Sequence, residues 1–505
     1  MLPALLSQPL QQMASEFTEG EPSKASQVET MLGVAVGRLV RPGGWTDAQR
    51  DAGAEVVVTG RAQPYAESTV RKRLRVLARQ GGTSVAARAV QKQVHHAVAT
   101  ADSTERIAVY TDMYDQVCWT KKPAHAGPVG NRGNRILAAT YFGMTFVRIG
   151  QGPALGYHVS WHKPASPLLD GLQALYADKD RAAWLKATAH LHIWDRGGCG
   201  LPTLRWARER GIPYLTVSNG SVSWKDYEAP RVHTDTGVPV FVRPDPDLFD
   251  WDCLKGAPIP CEIIFPAHPD KGQDSSRALR YRSARLLSEA DLAAMDVLYK
   301  SRWPSNENAI KSLSAVGFGV NRDRNLEPTT SRGTDGQLLR LEQRVTQTRA
   351  ELQALQEDPT RSAAQKRTRR ERKLQTLDAQ RTQLQQSGRT KGARVPTGTE
   401  LLCKNLMLLI YNALALLLAK SPLQTVRTLT PLRVRALLLG RSVWSCIEAE
   451  RITLWIDPVP NAAERSLQEE LLRLFEAQQL TLGGRSLRLR LQPLPQKSRP
   501  RRICA

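Results

Sequence analysis

Three acidic residues, Asp112, Asp195 and Glu307, lie far apart in the 505-residue chain, and each ends or sits in a segment whose pattern carries it toward one point. Asp112 closes the apolar, β-prone run I-A-V-Y-T-D, and Asp195 closes H-L-H-I-W-D-R-G. Glu307 lies inside Y-K-S-R-W-P-S-N-E-N-A-I-K, which has a helical pattern. Two carboxylates at strand ends with a third on a later helix can hold a pair of divalent cations, the apparatus for in-line attack on a phosphodiester. Carboxylate oxygens suit magnesium, a hard cation that keeps several waters. Asp115 competes with Asp112 for the first position.

The order of elements brings two of these acids together. From residue 105 three β-prone runs precede any helix, which predicts an antiparallel meander. A helical stretch, S-P-L-L-D-G-L-Q-A-L-Y, leads to the strand of Asp195, and the helix L-P-T-L-R-W-A-R-E-R-G leads to the strand I-P-Y-L-T-V-S. Three strands, helix, strand, helix, strand is the order of a ribonuclease-H-like sheet, in which the first and fourth strands are neighbours. The expected class is therefore α/β, with a mixed sheet of that kind over 105–218. Residues 219–286, rich in proline and aspartate, predict a β-rich insertion, and 287–335 return to the core with a helix capped at Ser288 or Asp291. His190 and His192 alternate on one strand face and are expected to be packing residues.

The flanking regions have separate patterns. Residues 1–104 are polar and helical, with helix-turn-helix character around W-T-D-A-Q-R-D-A-G and Y-A-E-S-T-V-R-K-R-L-R-V-L-A-R-Q-G-G. There Val70, Leu74 and Leu77 share a face, Ser68 or Thr69 can cap the start, and Gly81 can end the helix. Arg71, Lys72, Arg75 and Arg79 are then expected to point outward, toward DNA phosphates or simply toward solvent. Residues 336–390 carry leucines at steps of three and four on either side of Pro359, which predicts an antiparallel coiled-coil hairpin. Residues 391–505 hold an apolar helix at 400–420, a β-α-β segment and a basic tail. Lys404, Asn405 and Asn412 interrupt the apolar helix, which favours a buried core helix over a membrane span.

Lysine and arginine number 71 against 48 acidic residues, a net charge of +23 that favours polyanionic partners. The seven cysteines are scattered without a C-x-x-C pair, as expected of a reducing cytosol and against a structural zinc. The first residues lack the basic start and long apolar core of a signal peptide.

The region around Glu307 is dense in polar and aromatic groups: Tyr299, Arg302, Trp303, Asn308 and Lys311. Arg302 and Lys311 can hold phosphates, and Tyr299 or Trp303 can stack on a base. Arg196, directly after Asp195, can also reach a phosphate. On these residues the chain resembles the cut-and-paste insertion-sequence transposases of the DDE class that carry a β-rich insertion before the catalytic glutamate. The motif tyrosine, arginine, glutamate and lysine of such families falls on Tyr299, Arg302, Glu307 and Lys311, and the resemblance covers roughly residues 105–495. The gap from Arg302 to Glu307 is one residue longer than the family pattern, with Asn306 intervening. The long glycine- and arginine-bearing stretch K-K-P-A-H-A-G-P-V-G-N-R-G-N-R after the Asp112 strand is a second departure.

The resemblance implies a DNA transposase that uses two magnesium ions, with manganese an acceptable substitute, ligated by Asp112, Asp195 and Glu307. It implies double-stranded DNA partners (terminal inverted repeats and target), a homodimer on DNA, no membrane, and a nucleoid-associated location in the cytoplasm. The alternatives are a ribonuclease-H-like nuclease that cuts without joining, and an inactive coiled-coil DNA-binding derivative.

Overall fold

The computed structural model describes residues 2–39, 59, 61, 63–118, 138–162, 167–218, 222–223, 230–234, 237–250, 253, 256–266, 277–302, 308–315, 327–330, 332–356, 361–386, 391–394, 397–439, 441, 443–482 and 484–493. The first half of the expected helix-turn-helix, the glycine- and arginine-bearing stretch, Trp303, Glu307 and the basic tail lie outside the described residues.

The fold is mixed α/β, built on a ten-stranded sheet. Its strands are β1 (Ile107–Cys118), β2 (Ala138–Ile149), β3 (Ala154–His162), β4 (Leu191–Trp194), β5 (Tyr214–Val217), β6 (Val222–Ser223), β7 (Val232–His233), β8 (Pro239–Pro244), β9 (Cys261–Pro266) and β10 (Arg277–Ser283). The first three form the expected antiparallel meander. β4 then pairs parallel with β1, and β5 parallel with β4, so the order runs β3-β2-β1-β4-β5. Helices Pro167–Leu175, Lys179–Thr188 and Leu201–Glu209 supply the crossovers that parallel strands require. All four residues of β4 and of β5 are buried, as continuous apolar runs in a parallel sheet should be.

The segment expected as an insertion extends the same sheet. β10 pairs antiparallel with β5, and β9, β8 and β7 follow outward. Charge is tolerated inside this extension because it is paired: Arg282 holds Asp245 through two hydrogen bonds of 2.6 Å, with both side chains buried.

The apolar helix Thr397–Ala419 is a core helix, packed on β3 and on helix Thr83–Ala99 and mostly buried. Its interrupting polar residues Lys404, Asn405 and Asn412 are all buried. The Lys404 ammonium lies 4.4 Å from the Phe142 ring centroid and 5.7 Å from that of Tyr114, which compensates part of its desolvation. Asn412 reads the backbone of Gly156 on β3 in both directions, donating to its carbonyl at 2.8 Å and accepting from its N–H at 2.7 Å.

In the N-terminal region Val70, Leu74 and Leu77 form the buried face of helix Glu67–Leu77. Gly81 adopts φ +86° and breaks the path before helix Thr83–Ala99, as a glycine can. Two expectations are corrected. The N-cap is Ala66, without a side-chain cap, so neither Ser68 nor Thr69 serves. Arg71 is mostly covered and ion-paired with Glu67 one turn earlier, which removes it from the outward basic set. Lys72 and Arg79 are exposed and Arg75 is half-buried.

Helices Arg332–Gln356 and Arg361–Gln386 pack on each other, with Val345 and Leu377 buried between polar faces and ion pairs Arg370–Glu351 and Arg349–Asp378 across them. A two-stranded ribbon, β11 (Glu327–Thr330) with β12 (Lys391–Arg394), closes the base of this excursion. The C-terminal segment forms a four-stranded sheet of β13 (Val443–Ile447), β14 (Arg451–Ile456), β15 (Thr481–Leu482) and β16 (Arg485–Leu491), with helix Ala462–Glu476 crossing between the parallel β14 and β16.

Candidate active site

The last parallel pair between β1 and β4 is Thr111 with Trp194, so Asp112 and Asp195 are the next residue on each of two neighbouring strands. Such strands run about 4.8 Å apart. Asp115 lies four residues beyond that pair, so the backbone puts Asp112, rather than Asp115, beside Asp195.

Asp195 is fixed by its own loop. It caps the short turn Arg196–Gly198, its Oδ1 accepting the Gly197 N–H at 2.8 Å, while its carbonyl accepts the Thr216 hydroxyl from β5 at 2.8 Å. The sequence suggests that the two glycines of D-R-G-G serve flexibility, but Gly198 serves proximity. A Cβ there would stand 2.4 Å from Trp194 and 2.5 Å from Leu168, both buried. Gly198→Ala is accordingly expected to destabilise the fold by about 1–3 kcal/mol through overpacking and to displace the Asp195 turn. Chemical denaturation checks this; an unchanged midpoint would show that the turn yields freely. Arg196 is exposed on the rim of the site.

Asp112 Oδ1 accepts the Met113 N–H at 2.8 Å, and its Oδ2 accepts Arg302 Nη1 at 3.1 Å. The Arg302 and Asp112 side chains are only 13% and 15% exposed, so this ion pair is poorly screened. Arg302 arrives from the end of helix Met295–Lys300, and the Tyr110 hydroxyl pins that end by meeting Ser301 Oγ at 2.7 Å. Tyr110 lies two residues before Asp112 and hence on the same strand face. Sequence reasoning missed Tyr110 and Ser301 as positioning residues, although the period-two relation in V-Y-T-D was the available signal.

Tyr299 joins the group. Its ring meets Tyr281 of β10 edge to face at 4.8 Å, and Arg302 lies 5.9 Å from its centroid. Burial pushes its hydroxyl up to about 12, with the Asp195 carboxylate raising it further and Arg302 and Arg196 opposing. Asp112, Asp195, Arg196, Tyr299 and Arg302 therefore share one electrostatic neighbourhood. Lys311 is exposed on helix Asn308–Ala315. The helix expected to run on from Ser288 is divided at Ala294 into Glu289–Ala293 and Met295–Lys300; Ser288 is its N-cap, while Asp291 is buried against Arg106 and His190.

Behind the acids the sheet is polar yet closed. His192 is buried, bonded through Nε2 to Thr111 Oγ1 at 2.8 Å and through Nδ1 to the Tyr176 hydroxyl at 3.1 Å, while Thr111 also meets Thr145 at 2.9 Å. His190 bonds Asp291 at 3.1 Å, so both histidines pack as expected. Burial draws His192 down to about 3. In the unfolded chain it protonates near its ordinary value of 6.5, so the unfolded state binds more protons between these limits. Stability is therefore expected to fall with pH from about 6.5 toward 3, by up to about 1.4 kcal/mol per unit. Denaturant titrations of wild type and His192→Gln across this window check it; identical slopes would overturn the assignment.

Among the described residues no group of three His, Cys, Asp or Glu side chains is placed to hold a metal ion. Cys199, Cys253 and Cys261 are free thiols. Comparison of the chain with protein-family models and with curated proteins finds no match.

Proposed function

We propose that the chain is a DNA transposase with a ribonuclease-H-like core, acting by metal-dependent hydrolysis at element ends and transesterification into target DNA. The observation that carries this reading is the strand order β3-β2-β1-β4-β5 with Asp112 and Asp195 on adjacent strands at the end of their parallel pairing. In open sheets with parallel strands, that end is where ligands bind.

The donor set fits magnesium. Each carboxylate has one oxygen oriented by a backbone N–H, and carboxylate oxygen is the donor type that this hard cation prefers. Asp112 and Asp195 would hold the ions with Glu307, and bound metal would supply activation of the attacking oxygen and charge relief at the leaving one. Arg302 neutralises Asp112 and stands where a guanidinium can turn to a phosphate oxygen. Tyr299 holds its proton at neutral pH and can donate a hydrogen bond to the same phosphate. Arg196, exposed beside Asp195, and Lys311 can engage neighbouring phosphates, as can Lys72 and Arg75 farther off.

The paired helices 332–386 are offered as a coiled-coil hairpin and as the contact surface of a dimer on DNA. The test is an incubation of purified protein, Mg2+ and a duplex bearing the inverted repeats that flank its gene, together with a supercoiled target. Cleavage with joined product is the expected result. Cleavage without joining would replace this reading with that of a nuclease; DNA binding without cleavage would replace it with that of an inactive DNA-binding derivative.

A further inference from the structure

The C-terminal sheet has two unlike faces. Ile452, Leu454, Ile456, Leu487 and Leu489 are buried on the face that carries helix Ala462–Glu476. On the opposite face the register aligns Trp444 with Trp455, Cys446 with Thr453, Thr453 with Arg488, and Trp455 with Arg490. The two tryptophans stack with ring centroids 4.7 Å apart and planes 29° from parallel, and both are only half-buried. Neither belongs to a hydrophobic cluster of the core. Arg488 is exposed beside them, and among the described residues no acid pairs with it. Arg490 is exposed and ion-paired with Glu476 at 2.8 Å, and Arg451 is exposed and ion-paired with Glu448 at 2.7 Å.

A tryptophan pair on an antiparallel hairpin stabilises the hairpin. That role does not require parallel arginines on the next strand, or aromatic faces left outside the core. Flat π-surfaces beside the unneutralised guanidinium of Arg488 on an open sheet are the two parts of a single-strand platform, where unstacked bases lie on rings and the backbone follows the cation. A duplex keeps its base faces stacked and cannot use the rings.

We propose that the outer face of the C-terminal sheet binds single-stranded nucleic acid, with Trp444 and Trp455 stacking on bases and Arg488 contacting the phosphodiester backbone. This site is remote in sequence from Asp112 and Asp195 and does not rest on the proposed catalytic reading.

The test uses the full chain and fluorescently labelled oligothymidylate, oligouridylate and a mixed-sequence duplex, each followed by anisotropy at low salt. Trp444→Leu with Trp455→Leu keeps the apolar surface and removes the π-faces; single-strand affinity is expected to fall about tenfold or more. Arg488→Glu, on an exposed side chain, should weaken single-strand binding severalfold and flatten its salt dependence. Duplex affinity should stay within about twofold in both, and the thermal midpoint of Arg488→Glu should stay unchanged. Loss confined to oligothymidylate assigns the site to DNA, and equal loss for both oligomers assigns it to either nucleic acid. Unchanged single-strand affinity in both variants would overturn the proposal, as would parallel loss of duplex binding. Sedimentation showing loss of self-association with oligonucleotide affinity intact would instead make the face an interface between copies of the chain.

Discussion

Alanine at Asp112 or at Asp195 is expected to lower metal-dependent DNA cleavage by at least about a thousandfold, because a bound cation supplies several kcal/mol of charge stabilisation. The two substitutions should not add, since one lost ligand already disables the shared site. On the proposed reading, element-end binding should survive each of them, because the cations proposed to contact phosphates are other side chains. Asp112→Ala has a second consequence. Arg302 loses the carboxylate that orients it, so phosphate positioning should suffer along with metal binding. Asp195→Ala leaves Arg302 paired with Asp112 but removes the cap of the Arg196–Gly198 turn, so its effect should fall on the metal and on Arg196. Asp115→Ala, four residues beyond the β1–β4 pairing, should leave cleavage within a few fold of wild type. Cleavage that persists in both Asp112→Ala and Asp195→Ala would end the proposed site, whatever the DNA binding shows.

Asn412→Leu is expected to be among the most destabilising single changes in the chain. β3 is an edge strand of the ten-stranded sheet, and helix Thr397–Ala419 covers that edge. The Asn412 amide satisfies both the N–H and the carbonyl of Gly156. The pairing of β2 with β3 shifts register here, from Thr145 with His158 to Phe146 with Gly156. Gly156 is also a close approach, since a Cβ would stand 2.5 Å from Leu408 Cδ2. Leucine at 412 leaves two buried backbone groups without partners, at about 1–3 kcal/mol each, so the loss should reach about 2–6 kcal/mol. Denaturant unfolding monitored by far-UV circular dichroism measures it. A loss below about 1 kcal/mol would mean that water or a backbone shift replaces the amide.

Much of the core was legible because period and order are local properties. The runs around Asp112 and Asp195 alternate or continue as strands must, and the interleaved helices force β4 and β5 to run parallel to β1. The buried faces of helix Glu67–Leu77 and of Thr397–Ala419 follow from spacing in the same way. What failed was local choice among equivalent groups. Arg71 looks as free as Lys72 in the sequence, but Glu67 one turn earlier captures it. Ser68 and Thr69 are good caps by type, yet the chain enters the helix at Ala66. The segment 219–286 has strands that were recognisable, but whether they form a separate body or join β5 depends on an unpaired edge that no local pattern records.

The sequence by itself determined the element types, the meander followed by parallel strands, and the arrival of Asp112 and Asp195 at one level, because side-chain period and connection length constrain these without reference to distant residues. Only the tertiary structure decided that β10 extends the sheet from β5, that Arg302 reaches back to Asp112 with Tyr110 fixing its approach, that Gly198 is demanded by Trp194, and that Trp444 and Trp455 stack outside the core. Apart from the local contact of Gly198 with Trp194, each of these is a contact between residues distant in the chain or on separate strands, whose energy exists only once the sheets and helices have packed.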